Sequence, residues 1–295
     1  MRISRRRPAA AALLTAAAIL VPGGPAAPAA AVTPAGAAVT VSTAGTAGTV
    51  QPAGAAAPAA GRVRAAAPFT APFTAPFTAP FTAPGRTLRL GAKGAPVKLL
   101  QARLKELGYA PGPLDARYGG ATQSAVWAFQ KVQGIRPTST IAARTWRALE
   151  SPRAPRVLVP KGRPDRVEID LTRQVAVLYR AGRVRLVTHI SSGSGVPYCE
   201  TATWQGKTQR FCGSARTPTG DYKTTWRRSG WHRSYLGQLY NPIFFNGGIA
   251  LHGALSVPLY PASHGCVRLP MHVAQALPGL LGTGVPVHVR GAFRR

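Results

Sequence analysis

The chain has 295 residues, which fits one or two domains, but its first 85 hold six Arg, no Lys and no acidic residue. All eight acidic residues lie at or beyond Glu106, against 37 Lys and Arg, so the formal net charge is +29. Such a charge suits a polyanionic neighbour. The arginines form no dense basic run interleaved with aromatics, which argues against nucleic acid and leaves a basic surface held near an anionic cell-wall polymer.

In chain order, Arg2, Arg5, Arg6 and Arg7 make a positive start, and Ala9 to Val21 is an apolar run of 13 residues. That is too short for a comfortable membrane span. Small residues follow, with Ala29-Ala30-Ala31 as a cleavage site, so residues 1–31 read as a secretory signal peptide, with an uncleaved anchor as the alternative. Export to the extracytoplasmic side follows, with membrane contact only through the signal peptide. Residues 32–85 lack the large aliphatic side chains a core needs. Within them Pro-Phe-Thr-Ala occurs four times, from Pro68 to Ala83. Proline every fourth residue blocks helix and favours extended backbone, so this stretch reads as a disordered, semi-rigid tether.

Residues 86–150 carry helical spacing. Val97, Leu100, Leu104 and Leu107 predict one helix, stopped by Gly108. Ala121 to Val132, with Val126, Phe129 and Val132 on one face, predicts a second, ended by Gly134. Thr140 is placed to cap a third, carrying Ile141, Thr145, Trp146 and Leu149. The residues Leu90-Gly-Ala-Lys-Gly, Val97-Lys-Leu-Leu-Gln101, Leu107-Gly-Tyr109, Asp115, Tyr118-Gly119, Thr122, Ala125-Val126, Phe129-Gln130 and Thr145-Trp146 resemble the peptidoglycan-binding domain type 1 family. That resemblance implies a noncatalytic, wall-binding three-helix module.

Residues 151–164, with Pro152, Pro155 and Pro160, read as a linker. Beyond them the period becomes two. Val167, Ile169 and Leu171 alternate, then Val175, Val177 and Tyr179, then Val184, Leu186 and Thr188 after an Ala181-Gly182 turn. Further strands are predicted at 221–226 and 285–289, and a helix near 271–277. Residues 165–291 are thus expected to be mainly β. Of three cysteines, Cys199 and Cys212 flank a polar stretch that a disulfide would pin. Pairing them leaves Cys266 as the free thiol of an exported chain.

His252 is followed by Gly253, and eleven residues after His252 comes Ser263-His264-Gly265-Cys266-Val267-Arg268. A thiol attacks carbonyls as thiolate and needs an adjacent base, for which imidazole is suited near neutral pH. Gly265 would let the backbone approach a reacting carbonyl, with the Gly265 and Cys266 amides as oxyanion donors. Zinc ligation by His252, His264 and Cys266 is the competing chemistry, but no carboxylate lies between 222 and 295, so no metal and no cofactor are expected. The motif resembles the L,D-transpeptidase catalytic domain (YkuD family), with support upstream in Ser191-Ser-Gly-Ser-Gly195 and Thr217-Pro-Thr-Gly220. The resemblance implies a β-sandwich with a short helix. It makes Cys266 the nucleophile that takes an acyl group from a peptidoglycan tetrapeptide stem, and His252 the base oriented by the Gly253 carbonyl. His264 and Gly265 then shape the acyl pocket, beside Ser263 and Arg268. The short stretch from His252 to Ser263 implies a small lid. A monomer is expected. An L,D-carboxypeptidase on the same substrate and a noncatalytic wall-binding scaffold are the alternatives. His189, His232 and His288 read as structural or exposed, with cleft lining as the alternative for His232 beside Trp226 and Trp231.

Overall fold

The computed structural model describes residues 81–293. The expected signal peptide at 1–31 and residues 32–80 of the expected tether lie outside the described residues. The end of the last Pro-Phe-Thr-Ala repeat does not behave as free tether. Phe81 stacks on Trp146 with centroids 6.3 Å apart, Arg103 lies over its ring, and the Ala83 amide donates to Glu150. Order therefore begins before residue 86, because an aromatic ring there finds an apolar seat.

The chain opens with a two-residue strand, Leu88–Arg89 (β1), then helices Ala95–Glu106 (α1) and Gly120–Val132 (α2). A second short strand, Thr140–Ile141 (β2), pairs antiparallel with β1, and helix Ala143–Glu150 (α3) follows. All three expected helices form, but Thr140 is not the cap. Its carbonyl accepts from buried Gln130 at 3.3 Å, and Ile141 is fully buried, so the segment is drawn into the ladder with β1. The helix starts at Ala143 with no side-chain cap.

The second half consists of strands Arg166–Asp170 (β3), Val175–Arg180 (β4), Arg183–His189 (β5), Pro197–Trp204 (β6), Lys207–Ser214 (β7), Gly220–Lys223 (β8), Trp231–Ser234 (β9), Gly237–Asn246 (β10), Ile249–Gly253 (β11) and Val267–Leu269 (β12), then helix Met271–Leu280 (α4) and strand Pro286–Arg290 (β13). One sheet has the order β5-β4-β3-β13-β8, and a second has β12-β11-β10-β9. They share a core. Val167, Ile169, Leu178 and Leu186 of the first sheet meet Ile243, Phe245, Leu251, Val267 and Leu269 of the second, with Val273 and Leu277 of α4. This is the mainly β sandwich with one helix that the sequence predicts.

The helical module packs on the outer face of the first sheet. Val175, Val177, Tyr179 and Val187 belong to the same buried cluster as Leu104, Val126 and Phe129. Strand β4 is therefore covered on both faces, odd residues by helices and even residues (Ala176, Leu178) by the sandwich core. The expected linker is pinned rather than loose: the Leu158 amide donates to the buried Glu168 carboxylate at 2.6 Å, and Arg166 pairs with that carboxylate at 2.7 Å. Two buried charges are tolerable here because each has partners.

The stretch between Cys199 and Cys212, expected to be a polar loop, is a regular hairpin of β6 and β7. Gln205 and Gly206, at φ 51° and 75°, form the two-residue turn, a geometry that matches strand twist and needs a residue such as glycine at positive φ. Cys199 and Cys212 face each other across the ladder, Cα atoms 4.0 Å apart, and are disulfide-bonded. An isolated two-stranded hairpin is marginal in water, so this covalent staple matters more than it would inside a larger sheet. No helix among the described residues is long and apolar enough to cross a membrane.

Candidate active site

Strand β11 reads Ile249-Ala-Leu-His-Gly, and its alternation sends Leu251 into the sandwich core while Ala250 packs on the other side with Leu239, Phe244 and Cys266. Parallel pairing sets Leu251 opposite Val267 and His252 opposite Arg268. Cys266, one residue before β12, thus arrives at the edge of the strand that carries His252. The register brings the expected base, nucleophile and arginine together.

His252 is buried, with Nδ1 2.9 Å from the Gly253 carbonyl. A carbonyl can only accept, so Nδ1 carries the proton and Nε2 is left as a lone-pair acceptor. Burial, with a smaller push from the Arg268 charge, brings the imidazole pKa down to about 4. Cys266 is the free cysteine. Burial pushes its thiol up, partly countered by the Ala250 backbone and by Arg268. Its Sγ sits 3.5 Å from the Gly248 carbonyl, a partner that needs a protonated thiol. At rest Cys266 is therefore a thiol and His252 a neutral imidazole. Gly253 is required sterically as well, since a Cβ there would lie 2.8 Å from the Ala274 Cβ of α4.

The loop before Cys266 is held from below. Ser263 Oγ donates to the Cys266 carbonyl and accepts from the Gly265 amide at 3.0 Å. The sequence reading offers the Gly265 amide to an oxyanion, but that donor is already engaged by Ser263. Thr217 Oγ1 donates to the Gly265 carbonyl at 2.6 Å and accepts from the Gly193 amide at 2.9 Å. Ser192 O accepts from the Ala262 and Ser263 amides, and Ser194 N donates to Ser263 O. The Ser191–Gly195 and Thr217–Gly220 segments are thus the seat of the Ser-His-Gly-Cys loop. Gly265 has φ 140°, a conformation closed to other residues at low cost, and a Cβ on it would meet Arg216 O at 3.0 Å.

A Cβ at Gly193 would lie 2.3 Å from Ala215 O and 2.7 Å from Thr217 N, both backbone atoms. Gly193→Ala is expected to lose roughly 1–3 kcal/mol of stability, measurable by urea denaturation, and to slow thiol chemistry at Cys266 because the seat must shift.

His264 is held by the β6–β7 hairpin. Its Nε2 is 2.6 Å from Glu200 Oε1 on β6, and its ring packs edge-on to Tyr198 at 4.7 Å. The β6–β7 hairpin, which the sequence leaves without a role, therefore reaches the motif. Glu200 and Tyr198 were invisible in the sequence as site residues, since only their i, i+2 placement on one strand face hints at a shared target. His232 lies edge-on to Trp226 at 5.8 Å and to Phe244. His288 hydrogen-bonds to Asp221 at 2.6 Å, away from the cysteine. Among the described residues no three His, Cys, Asp or Glu side chains gather as metal ligands.

A partly buried free thiol, a neutral imidazole with one nitrogen free, and a fixed positive charge can perform nucleophilic acyl transfer. Comparison with known proteins agrees. Residues 164–289 match the YkuD family, the L,D-transpeptidase catalytic domain, and residues 93–149 match a peptidoglycan binding domain family (PG_binding_1). The crystal structure of the L,D-transpeptidase from Xylanimonas cellulosilytica DSM 15894 is similar at 37% identity and a TM-score of 0.62, covering 70% of this chain and 98% of that one. An L,D-transpeptidase from Stackebrandtia nassauensis shares 23% identity over 70% of this chain and 96% of its own, with a TM-score of 0.38. No curated protein matches the chain.

Proposed function

The chain belongs to the L,D-transpeptidase family, and from that premise we propose that it works outside the cell, exported through residues 1–31, on the tetrapeptide stems of peptidoglycan. Cys266 attacks the carbonyl that precedes the terminal D-Ala. His252 Nε2 takes the thiol proton as the C–S bond forms, then gives it to the departing D-Ala amine. The resulting thioester is passed to an amine on a second stem, which gives a 3-3 cross-link and returns the thiol. Arg268 eases the negative charge that develops at sulfur. The Cys266 amide serves the oxyanion, and His264 with Gly265 shapes the acyl pocket. Residues 86–150 hold the enzyme on the wall, a role to which the basic surface adds attraction to anionic wall polymers.

The observation that carries this reading is the Nδ1 bond from His252 to the Gly253 carbonyl, which fixes the tautomer that presents a lone pair toward chemistry. The test is incubation of the purified chain with disaccharide-tetrapeptides and mass analysis of the products. Dimers that have lost one D-Ala are expected. Tripeptides alone would reassign the enzyme to hydrolysis, with water in place of the amine, and unchanged substrate would leave a wall-binding scaffold.

A further inference from the structure

Lys131, in the last turn of α2, is one of the least expected residues in the molecule. It belongs to the helical module, yet its side chain is buried against the sheet. An apolar side chain of the same length would fill that space without the cost of removing an ammonium group from water. Nζ instead makes two buried hydrogen bonds, 2.7 Å to His189 Nδ1 and 3.1 Å to the Gln174 carbonyl.

Each bond continues toward the catalytic loop. His189, fully buried at the end of β5, has Nε2 2.9 Å from the Val257 carbonyl. That carbonyl only accepts, so Nε2 carries the proton and Nδ1 must accept from Lys131. Val257 lies in the connection between His252 and Ser263. The second branch runs through Gln174, whose side chain clasps Ser192: the Ser192 amide donates to Oε1 at 2.8 Å, and Nε2 reaches Ser192 Oγ at 2.9 Å. The Ser192 carbonyl then accepts from the Ala262 and Ser263 amides, at 2.9 and 3.0 Å. Two branches from one ammonium group therefore anchor the segment 257–263, one at each end. That segment ends on the serine whose hydroxyl holds the Cys266 carbonyl.

We infer that Lys131 is a positioning residue for the acyl transfer, and that the helical module, besides any part in wall binding, is a structural component of the catalytic site through the pair Lys131–His189. The inference rests on Cys266 being the nucleophile. The enzyme would then depend on α2 for its rate even with a small soluble substrate that never touches the module. The size of that dependence follows from geometry, because displacing a reacting group by about 1 Å can cost about 10²-fold in rate.

The test uses the full chain and a carbapenem as acyl donor, with adduct formation at Cys266 followed by intact mass. Lys131→Met is expected to slow acylation by about 10- to 100-fold with the saturation constant little changed, and to speed hydrogen exchange at the Ala262 and Ser263 amides but not in β3. Two variants at 189 separate positioning from packing. His189→Gln can still donate to the Val257 carbonyl and should keep most of the rate. His189→Asn reaches only toward Lys131 and should lose it, with a melting temperature close to that of His189→Gln. Equal rates for the two His189 variants, or wild-type rate and wild-type exchange in Lys131→Met, would overturn the inference. A wild-type chain that forms no adduct would instead defeat the nucleophile assignment, and the exchange measurement would still judge the anchoring.

Discussion

Cys266→Ala is expected to abolish the covalent adduct with a carbapenem or a tetrapeptide donor, and His252→Asn to slow its formation by about 10²- to 10⁴-fold, the usual worth of a positioned general base. The alanine variant is a clean test because Ser263 holds the Cys266 backbone carbonyl, not the sulfur, so the loop keeps its anchor. Asparagine at 252 is equally selective. Its amide can take over the Nδ1 donation to the Gly253 carbonyl, while nothing replaces Nε2. Neither neighbour can substitute. His264 is engaged by Glu200 and Tyr198, and Arg268 pulls the thiol pKa down less than burial pushes it up. The loss should persist at higher pH, up to the point where bulk hydroxide can deprotonate the thiol. The wild type should keep acylating well below pH 6, because burial holds His252 neutral down to about 4. An unchanged rate in His252→Asn would overturn His252 as the base.

Acid should destabilise the protein well before its carboxylates titrate. His189 has its pKa brought down to about 3, by burial first and then by the Lys131 charge, and His252 to about 4, against an ordinary value of 6.5. Between those folded values and 6.5 the unfolded chain binds more protons than the folded one, so stability rises with pH across that window and is lost as pH falls through it. Each group can contribute up to roughly 1.4 kcal/mol per pH unit. His272, lowered in the same direction by burial, adds to the trend. Asp115 and Asp221 act elsewhere: their pKa values are lowered from 3.8, so what they contribute is lost only below that pH. Urea midpoints measured between pH 6.5 and 4.5 should therefore fall steeply. His189→Gln, which cannot titrate, should flatten the slope, and an unaltered slope would mean that His189 is not held neutral in the folded state. Lys131 gives the complementary signature at the other end. Burial brings it from 10.5 to about 7, so stability should climb again between those values, and Lys131→Met should remove the climb.

Much of the candidate site was legible along the chain because it is local. His252 and Cys266 lie fourteen residues apart, and the residues that define the Ser-His-Gly-Cys loop are contiguous. Helical periodicity located α1, α2 and α3, and the Ala181-Gly182 turn between β4 and β5 followed from Gly182, suited to the positive φ of 75° that it adopts, while Ala181 takes φ 48° without that advantage. The β6–β7 hairpin was less legible. Its strands are largely exposed, so no apolar alternation marks them, and only the two cysteines signalled that the segment was pinned.

The sequence by itself determined the Ser-His-Gly-Cys motif, the three helices and a mainly β second half, since each is specified by neighbouring residues or by a short period. The tertiary structure alone decided which way β4 faces and what lies on its far side. In Val175-Ala-Val-Leu-Tyr179 both parities are apolar, so a period of two cannot say which set meets the sandwich core; the helical module takes the odd residues and leaves Ala176 and Leu178 for the core. The same docking carries Lys131 to His189, 58 positions along the chain, and the hairpin carries Glu200 to His264, 64 positions along. Side chains so far apart in sequence share no local pattern, and their pairing exists only once the sheets and the helices have closed on one another.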